Sequence, residues 1–146
     1  MLKILSNDDC AKVVQYLINV DNDFEIPISS KVSIKEYAEK LLTSGYILAI
    51  ENNGVICGIL GMYANDIVNR IGYISILSVS VNQRGNGYAK LLVEGAIKLG
   101  LEKNLNSIKV DSVNPIAVSL YCREGFVPYK KESNQFNEKV YLIKLL

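Results

Sequence analysis

Hydrophobic residues recur at helical spacing in the N-terminal part of the chain. Four of them lie three or four positions apart after the polar segment "NDD": Val13, Val14, Leu17 and Ile18. This pattern predicts a first helix with Asn7 or Asp8 as its N-cap. The segment "DNDFEIPISS" is polar, acidic and broken by a proline, so it predicts a loop. Ser33 and Glu36 then form a capping-box pattern, which predicts a second helix that runs to about Thr43.

Runs rich in β-branched and aromatic residues predict the strands. "GYILAIENNGVICGILGMYAND" holds two such runs around "NNG", a strong signal for a tight hairpin. "IGYISILSVSV" predicts a further strand, followed by the helical pattern "AKLLVEGAIKLGLEK", a strand "SIKVDSV", a short helix "PIAVSLYCRE" and two closing strands. With the opening strand "LKIL" the order is β-α-α-β-β-β-α-β-α-β-β. That order predicts an α/β fold with a mixed sheet flanked by helices and one crossover helix.

The strand "YISILSVSV" changes its parity part-way. Ile74 and Ile76 share one parity, whereas Leu77, Val79 and Val81 share the other. A β-bulge produces such a one-residue change of phase. A strand that is buried on both faces gives the same pattern, because parity then carries little information. The sequence leaves both interpretations open.

Composition and charge fit a single globular domain over residues 1–146. The share of hydrophobic residues is 49% and the net charge is +1, so the chain can build a core and has no basic excess. We therefore expect neither nucleic acid nor a membrane surface as a partner. No apolar run approaches the ~20 residues that span a bilayer. The first residues, "MLKILSNDDC", lack the pattern of a cleaved signal peptide, so we expect a cytoplasmic protein.

Cysteine and histidine usage narrows the chemistry. Cys10, Cys57 and Cys122 are far apart and form no CxxC pair, so they are interpreted as small buried hydrophobic residues. Histidine is absent, which excludes a Ser-His-Asp triad, a Cys-His dyad and any His-ligated metal site. We predict no metal centre. Catalysis would have to use carboxylates, tyrosine, main-chain amides or a cofactor.

The turn "RGNGYA" follows a predicted strand and precedes a predicted helix. It lacks the GK[ST] of a Walker A loop, and Lys90 stands where a dinucleotide-binding loop has its third glycine. The first amides of a helix have no internal partner and attract anions, and glycines allow the main chain to approach a pyrophosphate closely. A plain strand-to-helix connection explains the same glycine spacing, so the turn alone does not decide.

Two segments resemble the GCN5-related N-acetyltransferase (GNAT) family. Arg84-x-x-Gly87-x-Ala89 resembles the family signature Arg/Gln-x-x-Gly-x-Gly/Ala. About thirty residues later, "VNPIAVSLYCREGF" is similar to Asn-x-x-Ala-x-x-Leu-Tyr-x-x-x-Gly-Phe. The second match comprises Asn114, Ala117, Leu120, Tyr121, Gly125 and Phe126. The likeness covers residues 45–128, the flanking parts match in topology alone, and it implies a GNAT-like fold.

The resemblance implies acetyl-coenzyme A (acetyl-CoA) as cosubstrate. In the family the glycine turn holds its pyrophosphate through amides, a bulged strand lines the pantetheine arm, and the capping Asn contacts that arm. The expected contacts in this chain are Leu77, Ser78, Val79, Arg84, Gly85, Asn86, Gly87, Tyr88, Ala89, Lys90 and Asn114. The Val79 amide is expected to face the acetyl oxygen as an oxyanion donor. Asn114 and Gly125 also fit the plain roles of helix cap and helix end.

Tyr121 matches the family position of the general acid. A phenol with a pKa of roughly 10 keeps its proton at neutral pH and can protonate a thiolate with a pKa of roughly 8.5. The same position fits a core aromatic residue. The base is undecided, because Ser75 and Lys109 stand where some members carry carboxylates, which also argues against the protein N-terminal acetylating branch. Three candidates for the base stay open: a water relayed by Ser75, the loop carboxylate Glu25, and Asp111 if its side chain faces the cleft.

The predicted function is acetyl transfer from acetyl-CoA to a primary amine of a small molecule, by direct attack through a tetrahedral intermediate. We expect the loop 21–32 and the turn 132–138 to form the acceptor pocket. Asp21, Asp23 and Glu25 would favour a cationic acceptor. The alternatives are a non-catalytic acyl-CoA-binding module, a protein or peptide N-acetyltransferase, and an interaction domain with a fortuitous glycine turn. Homodimers are common in the family, and no sequence feature decides the oligomeric state.

Overall fold

The computed structural model describes residues 2–146 as a seven-stranded sheet with helices on both faces. The strands are β1 (Leu2–Ile4), β2 (Gly45–Asn52), β3 (Val55–Asp66), β4 (Ile71–Val79), β5 (Ser107–Ser112), β6 (Val127–Ser133) and β7 (Glu138–Leu145). The helices are α1 (Cys10–Val20), α2 (Ile34–Ser44), α3 (Tyr88–Glu102) and α4 (Pro115–Arg123). This confirms the predicted element order and the mixed α/β fold.

The strands lie in the order β1-β2-β3-β4-β5-β7-β6. β4 and β5 run parallel, whereas the other neighbouring pairs among the described residues are antiparallel. A parallel pair needs a crossover, and α3 provides it. Asn53 and Gly54 both have positive φ in the β2–β3 turn, as the "NNG" signal predicts. Within residues 2–146 no helix has both the length and the apolar character that a bilayer crossing requires.

Each face of the sheet carries its own hydrophobic core. On one face α1 and α2 pack over the sheet around Leu17, Leu41 and Ile59, which are fully buried. On the other face α3 and α4 cover a larger cluster that includes Leu92 and Ile108. Because both faces of β3 and β4 are covered, these central strands have a fixed position between the two helical layers.

A β-bulge interrupts β4 at Ser75. Ile74 pairs with Met62 and Ile76 pairs with Gly61, so two consecutive residues of β3 oppose three residues of β4. Ile74 therefore enters the core under α3 and α4, whereas Ile76 enters the core under α1 and α2. The parity change in the sequence thus reflects a bulge.

The strands β4 and β5 separate immediately before this bulge. Their parallel pairing covers three residue pairs and ends at Tyr73 and Lys109. A bulge bends its strand and increases the local twist, which turns the second half of β4 away from β5. The two diverging strands leave an opening in the middle of the sheet.

Candidate active site

A cavity of about 460 Å³ occupies the opening between β4 and β5. Residues 74–77 of β4 and 110–112 of β5 form two of its walls. Ala117 and Tyr121 of α4 line it on one side of the sheet, and the loop between α1 and α2 lines it on the other. The cavity is thus accessible to groups from both layers of the fold, which is what a reaction between two separately bound molecules requires.

The Tyr121 side chain is held in this cavity by the geometry of α4. The Asn114 side chain caps the helix by accepting from the Ile116 amide at 2.9 Å, and Gly125 at φ +95° ends it. The Tyr121 ring is 2% exposed and packs edge-on against Phe126, with 5.4 Å between the ring centroids. Its hydroxyl has no hydrogen-bond partner within residues 2–146. Burial raises the pKa of Tyr121 well above its usual value, and the charges of Asp111 and Tyr73 add to this.

The glycine turn before α3 presents a row of unpaired amides. Gly85 has φ +87° and Gly87, the N-cap of α3, has φ +75°. The first helical hydrogen bond runs from the Leu91 amide to the Gly87 carbonyl at 3.1 Å. Within the described residues no amide from Gly85 to Lys90 has a hydrogen-bond partner. A Cβ built on either glycine would meet no atom within 4 Å, so the space beside the turn is open.

Side chains around the turn hold its shape. Arg84 Nε donates to the Val79 carbonyl at 3.3 Å, and Asn86 Nδ2 donates to the Gln83 carbonyl at 3.0 Å. The Tyr88 hydroxyl accepts from Asn52 at 3.0 Å, while Ala89 packs partly against the core. Open space, unpaired amides and a helix N-terminus together fit a diphosphate.

The second half of β4 directs main-chain groups into the opening. The Ser80 amide donates to the Cys57 carbonyl at 2.9 Å, which fixes the alternation of the ladder. By that alternation the main chain of Ser78 is hydrogen-bonded to β3. The amides and carbonyls of Leu77 and Val79 point the other way, into the opening where β5 no longer pairs with β4. The Ser78 hydroxyl lies 2.9 Å from the Tyr16 hydroxyl, on the α1 side of the sheet. Ser78 therefore has its hydrogen-bonding groups turned away from the opening, and its cofactor contact stays a prediction.

Comparison with known proteins matches the chain to a family. The sequence model of the acetyltransferase (GNAT) family matches residues 14–126. The chain belongs to the GNAT acetyltransferase family. The predicted resemblance is confirmed, and the protein is an acyltransferase of the class that transfers acetyl groups from acetyl-CoA. No protein of curated function matches the sequence.

Solved structures of GNAT acetyltransferases superpose on the whole chain. A GNAT-family acetyltransferase from Streptococcus pneumoniae has a TM-score of 0.83 at 21% identity, over 100% of this chain and 99% of that chain. A mutant of spermidine N-acetyltransferase from Vibrio cholerae has a TM-score of 0.76 at 19% identity, over 99% and 94%. The NatC complex bound to Gag peptide and CoA has a TM-score of 0.78 at 25% identity, over 100% and 98%.

The cavity of this acetyltransferase is also lined by Asp111, one of the candidates for the base among which the sequence does not decide. Asp111 lines the cavity together with Tyr121. Its Oδ2 accepts from the Tyr73 hydroxyl at 2.7 Å, and its Oδ1 lies 3.6 Å from Lys139 Nζ. The hydrogen bond between Tyr73 of β4 and Asp111 of β5 spans the point where the two strands separate. Tyr73 belongs to neither family motif, so no sequence signal indicated its contact with Asp111.

The acidic loop contributes to the cavity in a more limited way than the sequence indicates. Asp21 is turned into its own loop, where its carboxylate accepts from the Ser29 hydroxyl and from the Ser29 amide. Those bonds lower the pKa of Asp21. Asp23 lines a separate groove beside α1. Of the three acids only Glu25 lines the cavity, and it accepts from Asn137 Nδ2 at 3.0 Å, which joins the loop to the β6–β7 turn.

Proposed function

We propose that this acetyltransferase transfers an acetyl group from acetyl-CoA to a primary amine of a small molecule by direct attack. One observation carries the proposal: Tyr121 lines a cavity between two diverging strands, lined also from the side of the loop between α1 and α2. Such an arrangement lets a thioester and an amine meet without a covalent acyl-enzyme. Holding two reactants in one aligned site contributes about 7–11 kcal/mol in well-oriented systems.

The proposed cosubstrate contacts follow from the free main-chain groups. The amides from Gly85 to Lys90 bind the pyrophosphate, and Leu77 and Val79 bind the pantetheine arm through their outward main-chain groups. Since Arg84 already occupies the Val79 carbonyl, the Val79 amide is the group that remains to stabilise negative charge on the acetyl oxygen. Asn114 uses its side-chain oxygen for the helix cap, which leaves its NH₂ group as the donor to the arm.

The proposed role of Tyr121 is to protonate the departing thiolate. Because burial raises the pKa of Tyr121, the phenol keeps its proton throughout the neutral range. The same shift makes it a weaker acid, so proton transfer depends on a thiolate that is itself desolvated in the cavity and therefore more basic than roughly pKa 8.5. The hydroxyl has no protein partner to release before it acts, within the part of the chain that the structure describes.

The shape of the cavity supports a small acceptor. Its volume of about 460 Å³ lies in the range typical of small-molecule sites. The hydrogen bond between Glu25 and Asn137 joins the loop after α1 to the turn after β6. We propose that this link limits the room for an extended peptide. Among the three acids of the loop, Glu25 is the one that lines the cavity and would favour a cationic acceptor.

Thiol release measures the proposed activity directly. Acetyl-CoA is incubated with the protein and a panel of small primary amines, with peptides that carry free N-termini as the contrasting panel. We expect release of free thiol with at least one small amine and little with peptides. Tight CoA binding without thiol release on any acceptor would identify a non-catalytic binding module, and an absence of CoA binding would identify an interaction domain.

Replacing Gly87 by valine tests the glycine turn. Gly87 and Gly54 both have φ near +75°, and a Cβ added to either residue would meet no atom within 4 Å. Valine at either position costs about 1–3 kcal/mol of backbone strain. Gly87→Val should also lower CoA affinity by about 10- to 100-fold, because a side chain displaces the diphosphate from charge-assisted hydrogen bonds worth about 1.5–3 kcal/mol. Isothermal titration with CoA and thermal unfolding measure the two effects.

Gly54→Val is the matched control for this experiment. It introduces the same residue at nearly the same φ, in the β2–β3 turn outside the proposed cosubstrate site. We expect a similar loss of stability with unchanged CoA affinity. If both variants lose affinity in proportion to their stability, the glycine turn is a structural connection and the proposed diphosphate site is wrong.

A further inference from the structure

We infer that Asp111 is the general base that takes the proton from the acceptor amine. The inference rests on the proposed function and assigns the group that the sequence left undecided. A primary amine with a pKa like that of lysine, about 10.4, is almost entirely protonated at neutral pH and cannot attack a carbonyl in that state. A base close to the bound amine therefore has to receive a proton before or during the attack.

The position of Asp111 fits this task. It lies in the second half of β5, two residues beyond the last pair with β4, so its side chain enters the cavity where the strands diverge. The side chain is 19% exposed, which leaves it reachable from the cavity. The Tyr73 hydroxyl donates to Oδ2 at 2.7 Å, and Lys139 lies 3.6 Å from Oδ1. Both partners hold the carboxylate in one orientation.

The charged and titratable groups around Asp111 come from every neighbouring element. Tyr73 belongs to β4, and Lys139 and Tyr141 belong to β7, where Tyr141 is the direct ladder partner of Asp111. The others that line the same cavity are Tyr37 of α2, Tyr121 of α4, and Glu25 and Lys31 of the loop after α1. The proposed base, Asp111, and the proposed acid, the buried phenol of Tyr121, thus both line one cavity, as one reaction requires.

The other candidate bases are less suited. The Ser75 hydroxyl is 2.6 Å from the Tyr37 hydroxyl, and burial raises the pKa of Tyr37, so this pair is a neutral hydrogen bond. Glu25 is exposed on a loop and is occupied by Asn137. Lys109 shares the face of β5 that carries Asp111, but it is not among the residues that line the cavity, and its Nζ lies 5.5 Å from the centre of the Tyr129 ring.

The proton balance of the step is complete with these residues. The ammonium group of the acceptor gives one proton to the Asp111 carboxylate, directly or through one water. The free amine nitrogen forms a bond to the acetyl carbon, and the carbon–sulfur bond breaks. The nitrogen loses its surplus proton to solvent as the amide forms, and the thiolate takes a proton from Tyr121. Asp111 then gives its proton to solvent and Tyr121 takes one back, so each turnover releases one net proton. Tyr73 is a positioning residue, because it acts through the carboxylate.

The decisive variant is Asp111→Asn, which keeps the shape of the side chain and removes its basicity. We expect kcat/KM at neutral pH to fall by about 10²- to 10⁴-fold, with CoA affinity unchanged. The loss should shrink as the pH approaches the pKa of the acceptor amine, and it should be small for an acceptor amine whose own pKa lies below about 7. Tyr73→Phe should give a smaller fall with the same dependence on acceptor pKa. Asp66→Asn, at the end of β3 and outside the cavity, is the control with the same chemical change.

Three outcomes overturn the inference. Asp111→Asn with wild-type activity means that the base lies elsewhere. An equal loss for acceptors of high and low pKa, or a parallel loss of CoA affinity and stability, means that Asp111 is a structural ion-pair residue. An absence of turnover by the wild-type protein with every amine overturns the proposed function, and the inference with it. A variant that is active with weakly basic amines alone supports the assignment.

Discussion

Replacing Tyr121 by phenylalanine is expected to lower kcat by about 10²- to 10⁴-fold, the range that one general acid contributes. The ring keeps its edge-on contact with Phe126, and the cavity keeps its shape. Since the hydroxyl has no hydrogen-bond partner within residues 2–146, its removal leaves no protein group unpaired. We therefore expect the free energy of unfolding and the affinity for CoA to stay close to those of the wild-type protein.

The measurements are kcat from thiol release, Kd for CoA from titration calorimetry, and Tm. Tyr16→Phe serves as the contrasting variant, because Tyr16 is also buried and its hydroxyl is bonded to Ser78. Losing that bond should cost about 1 kcal/mol of stability, with little change in kcat. A Tyr121→Phe protein that keeps its full kcat would show that the thiolate leaves without this acid. A loss of stability larger than that of Tyr16→Phe would show that Tyr121 is mainly a core residue.

The regular elements were predictable because each follows from a local pattern. Apolar periodicity, the "NNG" turn and the glycine that ends α4 are signals within a few residues, and the structure confirms the elements they predict. The first N-cap was wrong for an equally local reason. Ser6, instead of Asn7 or Asp8, caps a short 3₁₀ turn before α1, with Asp9 accepting from the Ser6 amide at 2.9 Å. The Ser-x-x-Asp pattern was present one residue earlier in the sequence.

Contacts between side chains that are far apart in the sequence could not be predicted from it. Ile18 fits the apolar face of α1 by spacing, yet it is exposed. Tyr16 is instead buried in the core under α1 and α2, and Ser78, 62 residues further along the chain, satisfies its hydroxyl. The pairing of Tyr73 with Asp111 likewise joins residues 38 apart on two strands. A single sequence holds no signal for such contacts, so motifs could indicate the glycine turn and Tyr121 but left the base open.

The bulge in β4 was only partly predictable. The sequence showed the parity change, but it did not show that the strand separates from β5 at that point. In the structure the bulge at Ser75 coincides with the point where β4 leaves β5. Beyond that point the outward amides of Leu77 and Val79 have no neighbouring strand to pair with. One extra residue in the strand thus turns a continuous sheet into a sheet with an opening.

Deleting Ser75 is therefore expected to weaken cosubstrate binding strongly while the chain still folds. Ile74 and Ile76 already pair with consecutive residues of β3, so the deletion leaves a regular ladder from the Gly58–Val79 pair to the Tyr63–Tyr73 pair, and all remaining side chains keep their faces. A straight β4 can continue to pair with β5 beyond Tyr73, and the ladder then uses the main-chain groups that the pantetheine arm needs. Losing two or three such hydrogen bonds, at about 1 kcal/mol each, corresponds to about a 30- to 150-fold fall in CoA affinity.

Titration calorimetry with CoA and Tm measurements on the deletion variant test this expectation, with Ser75→Ala as the control. Ser75→Ala keeps the bulge and removes the hydrogen bond to Tyr37, so it should cost about 1 kcal/mol of stability and leave CoA affinity unchanged. If the deletion variant binds CoA as tightly as the wild-type protein, the bulge does not open the cleft. If it fails to fold, the regular ladder inferred from the pairing of β3 with β4 is wrong. A folded variant with strongly weakened CoA binding would show that the bulge opens the cleft between β4 and β5.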